Sequence, residues 1–427
     1  MEQELAHRPI SRGSTLIAAF STIVEWYDFT LYLYFATVLS RVFFGSGAQS
    51  LIVTLAGFAV AYLMRPFGAV VFGHIGDRHG RRRSLLLSVA LMTAAMIATA
   101  LLPVRAEAGP IAGVLLILLR CVMGFAVGGE YSGVVAYLLE GARSGRRGLV
   151  ASLASAASEV GGLLAVGVSA LTVSLLGETA LASWGWRIPF LFGAGLAGSV
   201  WIARSMMEES PEFERQQAAG TVPERPLVHT LTHQRLGIAR SFMISALGSI
   251  TYYVGITYVP AFITSAGMLG ERESLWLSTI AAVLVILVTP VAGMLSDRIG
   301  RRPVLIALAI ASAVLPVTMF SLMAGSSAAA ALAGAAILAC IAGAYSAVGA
   351  AATAEQFAGE GRMTGLALGA TGATAIFGGF TPWLAQSLMA SSGLATVPGI
   401  LIAIVAVAVL PVLLTMPETA PVQAAPS

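Results

Sequence analysis

The chain contains no lysine. All 24 of its basic residues are arginine, and charged residues of both signs make up only 11% of its 427 positions, well under the roughly 25% usual in soluble domains. Charge this sparse excludes a soluble globular protein. A formal net charge of +3 leaves no basic surface of the kind nucleic acid requires. The two cysteines, Cys121 and Cys340, both fall inside apolar runs, so neither a disulfide framework nor a thiolate metal site is expected. No nucleophile–base pair and no nucleotide-binding motif occurs, which argues against an enzyme and against a cofactor. A cleavable leader is not expected either. The first fifteen residues are polar, and the apolar run that follows is long and carries acids, so it should persist as a membrane helix. What fills the chain instead is apolar: 57% of residues are hydrophobic and the mean hydropathy is +0.86. The abundance of alanine and glycine without lysine is the codon signature of a GC-rich bacterial genome.

At about 20 residues per membrane crossing, twelve apolar runs are predicted. They lie near residues 16–38, 51–73, 84–104, 112–139, 148–176, 186–204, 238–265, 275–296, 303–324, 328–354, 363–390 and 395–416. With the N-terminus inside, 18 arginines fall in cytoplasmic segments and only Arg41, Arg105, Arg187 and Arg272 fall outside; Arg65 and Arg120 lie within the membrane. The positive-inside rule selects that orientation, with both termini cytoplasmic.

The runs form two sets built on one plan. Gly73-His-Ile-Gly-Asp77-Arg78-His-Gly80-Arg81-Arg82-Arg83 returns 220 residues later as Gly293-Met-Leu-Ser-Asp297-Arg298-Ile-Gly300-Arg301-Arg302-Pro303, with six positions coinciding. Tight turns between membrane helices attract Gly and Arg, but that does not produce the order Asp-Arg-x-Gly-Arg-Arg twice. Glu140 with Arg147, seven residues on, is echoed by Glu355 with Arg362 at an offset of 215. The expected organisation is an N-terminal six-helix bundle (1–204), a cytoplasmic linker (205–237) and a C-terminal six-helix bundle (238–427). The linker carries Glu208, Glu209, Glu212 and Glu214 and is punctuated by Pro211, Pro223 and Pro226. His229 and His233 within it are four apart, but no acidic or thiol partner sits at a useful spacing, so they read as solvated residues and no metal is expected.

The Asp-Arg-x-Gly-Arg-Arg turn is the loop signature of the major facilitator superfamily. Further stretches resemble its metabolite:proton symporter family, whose members carry citrate, 2-oxoglutarate, shikimate, and proline or betaine. They are Glu25-Trp-Tyr-Asp28-Phe, Met64-Arg65-Pro66-Phe67-Gly68, Gly128-Gly129-Glu130-Tyr131, Trp184-Gly-Trp-Arg187-Ile-Pro189-Phe190, Glu208-Glu-Ser-Pro211-Glu-Phe213 and Ala375-Ile-Phe-Gly-Gly-Phe-Thr-Pro382. The twenty-residue spacing from Arg120 to Glu140 is also that of proton-coupled sugar porters. The resemblance implies an all-α membrane protein, twelve transmembrane helices in two pseudo-symmetric six-helix bundles that rock around a central site. It also implies that Asp77 meets the positive N-terminal end of helix 11, near Arg362, when the inner side is shut. The gating set expected from the two repeated turns and the second echo is Asp77, Arg78, Arg81, Glu140 and Arg147 in the first half. In the second it is Asp297, Arg298, Arg301, Glu355 and Arg362.

Ionisable side chains at mid-membrane are costly and mark function. Glu25, Asp28, Arg120, Glu130 and Glu159 qualify, with Arg65 as a further candidate, and all lie in the first half. The second half offers hydroxyls and amides: Tyr252, Tyr253, Tyr258, Tyr345, Gln356, Thr371 and Thr374. The division of labour expected is proton coupling by Asp28, Glu25 and Glu159, and substrate contact by Arg120, Tyr252, Tyr253, Tyr345 and Thr374. Depth pairs two of them. At ~1.5 Å per residue Asp28 is ~18 Å from the inner face and Arg120 ~12 Å from the outer face, and in a ~30 Å core these coincide. A proton on Asp28 would break that pair and free Arg120 for an anion. The competing reading is a static staple between helices 1 and 4. Glu130 is expected to pair with Arg65, Arg187 to anchor the outer end of helix 6, and Pro290 and Pro382 to bend their helices. Glu159 is open between a coupling role and a pore-lining one.

The sequence thus points to a bacterial inner-membrane carrier that imports a small mono- or dicarboxylate with protons and is expected to act as a monomer. A zwitterion such as proline or betaine is the alternative substrate. A proton-driven exporter of cationic compounds and a transporter-like receptor are the other classes.

Overall fold

The structure is a computed structural model that describes residues 12–128, 134, 147–206, 209, 231–232, 234–266, 269–325, 327–357 and 362–420. Twelve helical segments account for nearly all of it. α1 covers residues 12–44, as Arg12–Tyr34, Ala36–Leu39 and a π-turn, Ser40–Phe44. α2 covers 48–79, as Ala48–Tyr62 and Met64–His79. α3 (Arg81–Ala100), α4 (Pro110–Val127), α5 (Arg147–Leu175) and α6 (Arg187–Ser205) complete the first half. α7 covers 235–265, bent by 48° where Thr257 gives way to Val259, one residue before Pro260. α8 (Glu271–Ile299), α9 (Arg301–Met323) and α10 (Ala328–Ala354) follow. α11 covers 362–392 with π-turns at Ala367–Thr371 and Ala375–Phe380, and α12 is Val397–Thr415.

Nine of these helices, or ten with bent α7, are long and apolar enough to cross a membrane as continuous spans. Of the remaining two, α1 carries the acidic pair and a π-turn, and α11 carries two π-turns. Side chains such as Leu118, Leu287, Val291, Ile404 and Val407 stand exposed on the outer surface, the pattern of a protein solvated by lipid. Expected and observed spans agree, with differences at the ends and in the bends. Pro290 lies inside the unbroken α8, and Pro382 lies in the first turn of the last stretch of α11, just after the second π-turn. A bend of 48° falls in α7.

The halves pack alike. α1 runs along α5, α3 against α4 and α6, and α2 against α4. In the second half α7 runs along α11, α9 against α10 and α12, and α8 against α10. The repeated turn closes both copies in one geometry. Gly80 (φ +98°) and Gly300 (φ +105°) each end one helix and open the next, in a region of φ/ψ space where a Cβ is strained. Across the molecule α5 lies along α8 and α2 along α11. These two seams bring α1, α2, α7 and α11 around the centre.

Candidate functional site

Between the halves lies a cavity. Its walls begin at mid-depth with Trp26 of α1, Arg65 of α2 and Tyr252 and Tyr253 of α7. They continue along Tyr345 and Thr353 of α10 and Ala370 and Thr374 of α11, towards the face that carries the arginine-rich turns. Among the described residues Arg65 is the one charged side chain in the lining. Four of the five residues expected to contact substrate, Tyr252, Tyr253, Tyr345 and Thr374, line this space, and Arg120 does not. The cation facing the cavity is Arg65.

Arg65 is buried, and each of its two terminal nitrogens has a partner. Nη2 donates to a Glu25 oxygen at 2.8 Å and Nη1 to the Tyr62 hydroxyl at 2.5 Å. Its guanidinium carbon stands 4.5 Å from the Phe29 ring centre and 5.0 Å from that of Tyr62. The expected Glu130–Arg65 pair is therefore corrected on the Arg65 side. Glu25 is three residues from Asp28 on α1 and lies at the depth where inward-running α2 presents Arg65, whereas Glu130 falls outside the described residues. Beyond Tyr62, a short hydrogen bond joins its hydroxyl to that of Tyr253, crossing from one half to the other. Gly378 and Gly379 make room for the two rings. A Cβ on Gly378 would come within 2.7 Å of Tyr253, and one on Gly379 within 2.5 Å of Tyr62.

Asp28 and Arg120 meet as their depths predicted. Arg120 Nη1 lies 2.9 and 3.1 Å from the two carboxylate oxygens, and Nη2 reaches the Thr99 hydroxyl at 3.4 Å. One nitrogen thus serves both oxygens, rather than a two-nitrogen fork. The pair is sealed among α1, α3, α4 and α6, with the guanidinium over Tyr32 and Phe190. Glu159 of α5 is buried beside Tyr252 and Tyr34, so it stands behind the aromatic wall of the cavity. That wall is continuous: Trp26 meets Tyr252 edge-on at 5.1 Å, and Tyr252 meets Tyr253 edge-on at 5.3 Å. The Ser249 hydroxyl donates to Thr374 Oγ1 at 2.9 Å, and Thr374 in turn donates to the Ala370 carbonyl.

The gating set is only partly described. The side chains of Asp77, Arg78, Arg81, Arg147 and Arg362, and all of Glu140, lie outside the described residues, as do His229, His233 and most of the expected linker. In the second half, Asp297 is paired with Arg301 at 2.8 Å and accepts the Leu149 backbone N–H at 2.9 Å. It therefore caps the N-terminal turn of α5 across the seam, the contact that the family resemblance gives Asp77 on α11. Glu355 pairs with Arg301 at 3.3 Å, and Arg298 is exposed. Arg187 donates to the carbonyls of Ser183 and Leu102, which ties the start of α6 to the end of α3.

Sequence reasoning missed a third repeat on this face. After α6, Glu209 accepts from the Arg82 backbone N–H, and the Arg82 side chain reaches the Ser205 carbonyl. After α12, Glu418 accepts from the Arg301 and Arg302 N–H groups, and the Arg302 side chain reaches the Leu414 carbonyl. Each half thus caps its third helix with an acid that follows its sixth. Arg82 and Arg302 are 220 apart, but Glu209 and Glu418 are 209 apart, so a fixed-offset comparison does not register them. On the opposite face, Glu271 at the start of α8 accepts from Arg41 at 2.7 Å and from Thr37, both of α1. The halves are joined there.

The sequence matches known proteins throughout. The family model described as "Sugar (and other) transporter" matches residues 14–221, and that of the "Major Facilitator Superfamily" matches residues 269–427. The chain is 31% identical to the citrate-proton symporter of Klebsiella pneumoniae over 390 residues, covering 91% of this chain and 87% of that protein. It is 33% identical to the alpha-ketoglutarate permease of Escherichia coli K12 over 375 residues, 87% of this chain and 86% of that one. With the proline/betaine transporter of Salmonella typhimurium it shares 30% identity over 420 residues, 96% and 84% of the two chains. Among solved structures, a partially occluded inward-open form of the E. coli xylose transporter superposes with a TM-score of 0.78 over 95% of this chain and 98% of that one. At 20% identity that likeness speaks for the fold alone. With twelve helices in two like halves around a central cavity, and relatives that are carriers along nearly its whole length, the chain is a membrane transporter rather than an enzyme and belongs to the metabolite:proton symporter family of the major facilitator superfamily.

Proposed function

We propose that the protein imports a small organic acid together with protons, by alternating access between its two halves. The observation that carries the reading is a mid-depth cavity whose one charged lining side chain, among the described residues, is Arg65, itself ion-paired with Glu25. A mono- or dicarboxylate suits that charge balance, since a tricarboxylate would bring more negative charge than one shared arginine can offset. The citrate, alpha-ketoglutarate and proline/betaine names of the relatives support a carboxylate-bearing substrate. The aromatic wall of Trp26, Tyr252 and Tyr253 favours a second reading, a zwitterion whose onium group rests on the ring faces while its carboxylate turns to Arg65.

Asp28 is the proton carrier in this scheme and Arg120 its partner. Taking a proton, Asp28 loses its hold on Arg120 and loosens α1 from α4, so proton binding is felt by a helix that lines the cavity. Glu159, behind Tyr252, is the second carboxylate able to serve. On the arginine-rich side, the Asp-Arg-x-Gly-Arg-Arg turns gate. The arginine bias supports placing that side in the cytoplasm of a bacterium, with both termini there, in the inner membrane. The halves divide at 1–204 and 238–427, and the carrier works as a monomer.

The test is uptake of labelled 2-oxoglutarate, citrate, proline and glycine betaine into proteoliposomes holding the purified carrier, with the outside made acidic. Accumulation of one of them that collapses with the gradient is expected. Net movement out of the vesicles along with proton entry would replace this reading with that of an exporter.

A further inference from the structure

The chain of contacts Glu25–Arg65–Tyr62–Tyr253 has a direction. Arg65 can only donate, so the Tyr62 oxygen accepts from it. Tyr62 is completely buried, and among the described residues its hydroxyl has two polar partners, Arg65 and Tyr253. If Tyr253 donated to Tyr62, the Tyr62 proton would be left buried without an acceptor, which is costly. Tyr62 therefore donates to Tyr253. The Tyr253 proton is then the free end, and Tyr253 lines the cavity.

We infer that Tyr253 presents its hydroxyl proton to the carboxylate of the bound substrate, as the terminal donor of a relay that carries the Arg65 charge across the seam. This rests on the carboxylate reading above. Donors polarised by a cation at the head of a chain strengthen one another, so an anion at Tyr253 also strengthens the Tyr62–Tyr253 bond. That bond joins α2 to α7. Substrate thus draws the two halves together on the side away from the arginine-rich turns, where α1 already meets α8 through Glu271. Tyr253 would be a substrate-contacting residue and Tyr62 a positioning residue. Gly378 and Gly379, tight against the two rings, hold the phenols in register.

The experiment uses the full-length carrier in nanodiscs, as wild type, Tyr253→Phe and Tyr62→Phe. Binding of 2-oxoglutarate, citrate, proline and glycine betaine is measured, with choline as the control in which an alcohol replaces the carboxylate of betaine. A second readout is the distance between spin labels on Glu107→Cys and Ser391→Cys, exposed positions in opposite halves, in a background with Cys121→Ala and Cys340→Ala. For each carboxylate that wild type binds, both phenylalanine variants should bind about tenfold more weakly or worse, the scale of a lost hydrogen bond to a charged group. The label distance should shorten on binding in wild type and stay unchanged in Tyr62→Phe, a loss that a merely structural role for the ring would not produce. If Tyr253→Phe does not fold, Tyr62→Phe alone decides. Affinities within twofold of wild type, with the label shift intact, would overturn the relay and leave the carboxylate reading standing. If no carboxylate binds wild type, or choline binds as well as betaine, the substrate reading fails and the relay with it.

Discussion

The Asp28–Arg120 pair separates a proton switch from a helix staple. Their side chains are 1% and 4% exposed, and Arg120 also leans on Thr99 and two aromatic rings. Arg120→Ala leaves a carboxylate buried without its cation, which should destabilise the protein by about 3–5 kcal/mol. Replacing both, as Asp28→Leu with Arg120→Met, removes both charges and refills the volume, and should be close to neutral. Thermal unfolding in detergent should therefore rank the double variant near wild type and Arg120→Ala well below. Transport should rank otherwise. For one proton per cycle, each unit of ΔpH supports about tenfold accumulation, because a pH unit is worth about 1.4 kcal/mol. Asp28→Asn and the apolar double variant should both lose that dependence, while Asp28→Asn keeps part of its counterflow of labelled substrate. Arg120→Lys should stay poor, because an ammonium at Asp28 gives up the Thr99 contact and the ring faces. Recovery of ΔpH-driven accumulation by the apolar double variant would refute the argument and make the pair a staple.

Gly379→Ala places a Cβ 2.5 Å from the Tyr62 side chain; it should cost about 1–3 kcal/mol as overpacking and weaken binding, seen as a lower unfolding midpoint and a raised KM. Glu271→Gln removes the ion pair with Arg41, itself 47% exposed. Its effect should stay below about 1 kcal/mol and favour opening on that face, read as faster labelling of a cysteine in the cavity at low salt and little difference at high salt. Asp297→Asn weakens the cap on α5, by about 1 kcal/mol, and Asp77→Asn is expected to do the same for α11. Both should slow turnover with little change in equilibrium substrate affinity, and wild-type turnover in either would remove that residue from the gate.

The sequence by itself determined the membrane, the twelve crossings, the duplication and the Asp28–Arg120 pair. Each rests on a short-range or one-dimensional rule. Scarce charge and long apolar runs specify spans, glycine at positive φ specifies the repeated turn, and helix rise alone sets the depth at which a charge must find its partner. The tertiary structure decided whatever depends on helix rotation and on which helix is neighbour to which. Depth pointed to Glu130 as the partner of Arg65, but the packing of α1 beside α2 gives Arg65 Glu25. Arg120 and Arg65 are both intramembrane cations, yet α4 turns one into a sealed core and α2 turns the other to the cavity. The Tyr62–Tyr253 bond joins residues 191 apart, through two glycines of α11 whose motif was legible and whose purpose was not. Glu209 and Glu418 escaped because connections of unequal length hid a spatial repeat from any fixed offset. A single sequence records how deep each side chain sits, but which way it faces follows from how the helices pack.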